Sequence, residues 1–169
     1  LNNKVLVPIT GSSWDEEALA VYSDAMPGYE VIGFSGSWES TDALHCRIKG
    51  VPDLEMLQIF HNPLNDSIPP DSNGYKIEVM VDDLSESGLI SDSMKIYWKT
   101  DEINNWNYAF LNYLDNVENP NGWSGWIPAL ADSREIYYYI QSADSSGRVA
   151  NHPPAGWHKF FAYPTNACV

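Results

Sequence analysis

Basic residues are scarce in this chain: 9 lysines and arginines face 23 aspartates and glutamates, a formal charge of −14. Nucleic acid is therefore an unexpected partner, because binding it requires a positive footprint. The same balance suits a cationic ligand, although acidic surfaces are also common in extracellular or salt-adapted proteins. Cysteine is nearly absent, and Cys46 with Cys168 allows at most one internal bridge. The histidines form no ligand cluster: His152 and His158 lie six residues apart in a proline-rich loop, a poor spacing for zinc. Asp82, Asp83 and Glu86 supply acidic oxygens for calcium without an EF-hand pattern, so no metal and no cofactor is expected. No apolar run is long enough to span a bilayer. No signal peptide opens the chain, which says nothing about export.

Aromatics, by contrast, are plentiful, and they organise the second half of the chain. Lys4–Ile9 is a short apolar run that reads as a buried strand. Ser13 with Glu16 offers a capping box, and Ala18, Leu19, Val21, Tyr22 and Ala25 form a helical stripe that Pro27-Gly28 stops. Tyr29–Phe34 and Met56–Phe60 read as further strands. Strand, helix, strand, loop, strand is one α/β repeat. Pro63, Pro69 and Pro70 mark a linker. From Tyr75 the pattern becomes all-β: Ile77, Val79 and Val81 alternate, as do Ile96 and Trp98, and aromatic runs follow at 108–111, 136–140 and 160–163. Several short strands separated by turn clusters predict a β-sandwich. Trp106, Trp123 and Trp126, set among Asn and Gly, form either a carbohydrate- or protein-binding patch or packing against a neighbouring domain.

One segment carries chemistry. In Trp38-Glu39-Ser40-Thr41-Asp42-Ala43-Leu44-His45-Cys46-Arg47 a lone thiol sits between two groups that can be cationic. Such neighbours favour thiolate, the nucleophilic form, although a free cysteine is more usually a small buried hydrophobe. Pairing Cys46 with Cys168 would consume that nucleophile, so Cys46 is expected to be free. His45 points away from Cys46 if the segment is extended.

This motif, together with Asn3–Pro8, Ala18-Leu19 and Ala25–Gly33, resembles the C-terminal end of the catalytic domain of bacterial peptidyl-arginine deiminases. These belong to the guanidine-modifying superfamily related to agmatine deiminases. The run Ile136–Arg148 resembles the end of the immunoglobulin-like module that follows that domain in many members. The resemblance implies an α/β + all-β chain. Residues 1–64 would be the closing part of a five-bladed α/β propeller (pentein), 65–74 a linker, 75–163 an immunoglobulin-like β-sandwich and 164–169 a tail. It makes Cys46 the nucleophile in conversion of peptidyl arginine to citrulline and ammonia. Thr41 would contact substrate and Trp38 would wall the pocket, unless it merely packs. Asp42 would orient the loop, or form a simple Asx-turn.

The family's other catalytic groups are a His-x-Asp or His-x-Glu pair, a guanidinium-binding carboxylate and an Asn, all N-terminal to the nucleophile segment. Here His45, His61, His152 and His158 are followed two residues on by Arg47, Pro63, Pro154 and Phe160. The chain is thus expected to be the C-terminal part of a longer secreted or periplasmic enzyme, inactive by itself. Its expected partners are the N-terminal remainder of the catalytic domain and an arginine-containing peptide or protein. The alternatives are a deiminase of agmatine or free arginine, and a non-catalytic immunoglobulin-like binding module with a docking segment.

Overall fold

The structure, a computed structural model, describes residues 4–26, 28–37, 53–102, 105–115 and 120–164. The chain divides into two units, one holding residues 1–53 with 154–156 and the other holding the rest.

In the first unit, β1 (Lys4–Ile9) and β2 (Glu30–Ser35) pair in parallel, Val5 opposite Val31 and Val7 opposite Gly33, with helix α1 (Asp15–Ala25) crossing between them. Val7 is buried, whereas α1 has no buried residue and leaves Val21 and Tyr22 exposed. The expected Ser13 cap gives way to a different device. Trp14 is the N-cap and makes no side-chain cap bond, while the Asp15 carboxylate accepts backbone N–H bonds from Thr10 (3.1 Å), Gly11 (2.6 Å) and Ser12 (3.0 Å). Three converging donors hold a carboxylate better than one hydroxyl does, and they keep the Asp15 pKa below its usual value even though burial pushes the other way.

The propeller expectation is overturned. Among the described residues the parallel sheet has two strands and no sheet closes. Leu57–His61 (β3), expected to complete the α/β repeat, pairs antiparallel with β5 (Tyr75–Asp83), Ile59 opposite Val81. Within the stretch read as a linker, Ser67–Ile68 (β4) pairs with β12 (His158–Ala162).

The second unit is a β-sandwich, compatible with an immunoglobulin-like arrangement. One sheet runs β4-β12-β10-β6-β7, with β6 at Lys95–Thr100, β7 at Asn107–Phe110 and β10 at Arg134–Ala143; β11 (Val149–His152) also pairs with β10. The other runs β3-β5-β9-β8, with β8 at Asn112–Tyr113 and β9 at Gly122–Ile127. Period-two patterning decides which side faces in. Tyr75, Ile77, Val79 and Val81 of β5 meet Ile136, Tyr138 and Ile140 of β10 in one core with Ile96, Ile127 and Phe160. Between β7 and β8 the chain changes sheets at buried Leu111, whose N–H donates to the Met94 carbonyl (2.9 Å). Gly125 on β9 lies against this crossing. A Cβ there would fall 2.6 Å from the Phe110 carbonyl oxygen and 2.9 Å from Ile96 Cδ1, so the close approach requires glycine.

Candidate functional site

Trp38, Thr41, Asp42, His45, Cys46, Arg47 and Cys168 all lie outside the described residues. What is described is the approach to the motif: β2 ends at Ser35, and residues 36–37 lead straight into it. No helix of the described chain is long and apolar enough to cross a membrane.

The sandwich gathers the other three histidines. His61 ends β3, while His152 and His158 bound the turn between β11 and β12. Their ring centroids lie 5.0–5.8 Å apart. The hydrogen bonds fix the proton on His61. The Glu78 carbonyl, 2.8 Å from Nδ1, can only accept, so Nδ1 carries the hydrogen. In the neutral ring Nε2 then accepts from the Tyr138 hydroxyl at 2.9 Å, and the Tyr138 oxygen accepts from the Leu64 N–H at 2.9 Å. His152 Nδ1 and His158 Nε2 face each other at 2.9 Å, an arrangement that holds one shared hydrogen.

Burial lowers the pKa of all three rings, and the neighbouring histidines add to the effect on His61 and His158, which falls to about 4. The cluster is therefore a neutral polar joint between the two sheets at neutral pH. Burial likewise pushes the Tyr138 hydroxyl up to about 12, against the opposing Leu64 bond, so it remains a donor. Among the described residues no group of three or more side chains is disposed to hold a metal. Asp83 is committed to Ser85, Ser87 and the Gly88 N–H, and Asp82 accepts from Asn121. In the sequence His152 and His158 show only a poor zinc spacing. Their meeting with His61 depends on the long-range placement of β3 against β10 and β11, which no local pattern announces.

A second feature covers the outer face of β10, β6 and β7. Tyr97 and Tyr139 stack at 4.9 Å, Trp106 meets Tyr139 edge-on at 4.9 Å, and Tyr108 packs against Phe110 at 5.5 Å. Lys99 Nζ lies 5.0 Å from the Trp106 ring centre and 5.3 Å from that of Trp157, and Lys95 Nζ lies 5.0 Å from that of Tyr108. Of the three tryptophans singled out from sequence, Trp106 joins this face, Trp123 is buried against Tyr113, and Trp126 is half-buried on the other sheet. A third feature is a shallow cleft of about 430 Å³ beside His61, lined by Phe60, Leu64, Met80 and Leu114, where Lys76 and Glu78 neutralise each other.

No family model matches the chain. Among solved structures, CopC from Methylosinus trichosporium OB3b is similar over 62% of this chain and 89% of its own length, at 9% identity and a TM-score of 0.36. A likeness that loose carries neither a fold nor a function.

Proposed function

We propose that this chain is the C-terminal part of a deiminase that converts peptidyl arginine to citrulline and ammonia, with Cys46 as nucleophile. The observation that carries the reading is the path into the motif. A parallel strand–helix–strand unit ends at Ser35, and Trp38–Arg47 follow it in the sequence after two residues. In open α/β sheets the loops beyond strand carboxyl ends carry ligand-binding and reacting groups. The exposure of this unit is a second support for the reading. Parallel sheets are normally covered on both faces, yet here no residue of α1 is fully buried, Trp14 and Phe34 are exposed, and β1 and β2 pair only with each other among the described residues. Further strands and helices of the catalytic domain are the natural partner for those edges.

In the proposed reaction the Cys46 thiolate forms a C–S bond to the guanidinium carbon. The adduct collapses with loss of ammonia, which takes a proton from a general acid. Water then displaces sulfur from the thiouronium to give citrulline and regenerate the thiolate. The carboxylates and histidine that bind the guanidinium and move these protons come from the N-terminal remainder. His61, His152 and His158 do not supply them, since all three are committed within the sandwich.

The test uses the protein together with any polypeptide that co-purifies with it, identified by denaturing mass spectrometry. Citrulline and ammonia should form from an arginine peptide, and Cys46→Ser should abolish both. Iodoacetamide should alkylate Cys46 rapidly near neutral pH only when the N-terminal remainder is present. A uniformly inert thiol, with no citrulline or ammonia from peptide, free arginine or agmatine, would overturn the enzyme reading. It would favour the binding-module reading, which the exposed aromatic face of the sandwich supports.

A further inference from the structure

We infer that the outer face of β10, β6 and β7 binds an acidic saccharide. The inference is independent of the deiminase reading. Its first support is charge. In a chain of formal charge −14, Lys4, Lys76, Arg134, Arg148 and Lys159 each pair with a carboxylate. Lys95 and Lys99 make no ion pair among the described residues, despite the excess of acid. Both are half-buried, with their ammonium groups held over aromatic rings. A cation–π contact of this kind positions an ammonium without neutralising it. The nearby Glu135 is already engaged by Lys159 (3.0 Å) and by the Tyr137 hydroxyl (2.6 Å).

Spacing supplies the second support. Lys95, Tyr97 and Lys99 alternate along β6 and share one face, which sets the two lysine Cα atoms ~13 Å apart at the usual strand rise. Tyr97 between them lies opposite Tyr108 on one side and Tyr139 on the other. The hydroxyls of these three tyrosines make no hydrogen bond among the described residues. Beside Lys95, Gln141 donates to Asn151 (3.1 Å) and completes a polar margin. The face thus offers aromatic carbon, free hydroxyls, a side-chain amide pair and two separated positive charges.

That combination distinguishes between occupants. An extended peptide adds to a sheet through main-chain bonds at an edge such as β7, whereas Lys95, Tyr97 and Lys99 stand one strand in, on β6, which is paired on both sides. The cores of protein–protein interfaces are depleted of lysine, and here a lysine stands on each side of the central Tyr97. A short saccharide presents CH surfaces to Trp157 and Tyr108, which are 43% and 56% exposed, and its carboxylates can reach Lys95 and Lys99.

The experiment titrates the full chain with oligogalacturonate, followed by calorimetry and tryptophan fluorescence. Cello-oligosaccharide serves as the neutral control and polyglutamate as the acidic-peptide control. Oligogalacturonate should bind and perturb tryptophan emission, and added salt should weaken it. Lys95→Gln combined with Lys99→Gln should weaken it about tenfold or more, the loss expected for charge-assisted hydrogen bonds, with an unchanged Tm. Trp157→Ala, which removes an exposed stacking surface and one of the rings beneath Lys99, should weaken it as well. Absence of binding, equal binding by the double lysine variant at unchanged Tm, or equal binding of polyglutamate would each overturn the proposal.

Discussion

Acidification should loosen the joint that His61, His152 and His158 make between the two sheets, and His158 should account for much of the effect. Burial and two neighbouring imidazoles lower its pKa from 6.5 to about 4. The folded protein therefore resists a proton that the unfolded chain accepts. Stability contributed by this difference is complete above pH 6.5, falls as the pH drops from 6.5 towards 4, and declines no further below that. At about 1.4 kcal/mol per pH unit the shift corresponds to at most ~3.4 kcal/mol. The ring is only half-buried, and solvent screening reduces the expected loss to ~1–2 kcal/mol. The assay is urea unfolding at pH 7.5, 6.5, 5.5 and 5.0, a range chosen to stay above most carboxylate titration. It compares the native sequence with His158→Gln, whose amide can still bond His152 Nδ1. The native protein should lose stability across this range, and the variant should lose ~1 kcal/mol less by pH 5. Parallel curves for the two proteins would refute the reasoning, because titrations elsewhere in the chain are common to both.

Two further substitutions probe the sandwich. Tyr138→Phe removes a hydroxyl that donates to His61 Nε2 and accepts from the Leu64 N–H, leaving both without their partner. Unfolding at pH 7.5 should show a loss of about 2 kcal/mol, and a loss below ~0.5 kcal/mol would mean that water replaces the hydroxyl without cost. Gly125→Ala places a methyl against the Phe110 carbonyl and Ile96 at the strand that changes sheets. It should cost ~2–3 kcal/mol by urea denaturation, and an unchanged midpoint would show that the two sheets can separate locally there.

The elements that could be read from sequence are those whose signal is local. The alternation of Tyr75, Ile77, Val79 and Val81 announced β5 and its buried face, and the aromatic run 136–140 announced the centre of β10. The apolar stripe and the Pro27-Gly28 stop located α1. The failures are non-local. Leu57–His61 is recognisable as a strand, but its membership of the sandwich is set by antiparallel pairing with β5, so the α/β repeat ends one strand earlier than its sequence pattern suggests. The capping box was locally plausible at Ser13, yet three loop N–H groups converge on Asp15 instead. His61 meets His152 and His158 across about ninety residues of sequence, beyond the reach of any spacing rule.

The run Tyr137-Tyr138-Tyr139 shows how three consecutive identical residues acquire different roles. Strand pleating turns Tyr138 inward, where it is fully buried and bonds His61. Its neighbours turn outward, Tyr139 to stack on Tyr97 and Tyr137 to bond Glu135. A slip of one residue in β10 would expose Ile136, Tyr138 and Ile140 together and drive Glu135 and Gln141 into the core. The apolar partners on β5 therefore fix both the joint and the aromatic face at once. Mutations on the outer face can be made without altering that register, because the residues that set it lie on the other side of the strand. Loss of saccharide binding in Lys95→Gln or Lys99→Gln can consequently be read as loss of a ligand contact, whereas any change at Tyr138 would confound the two.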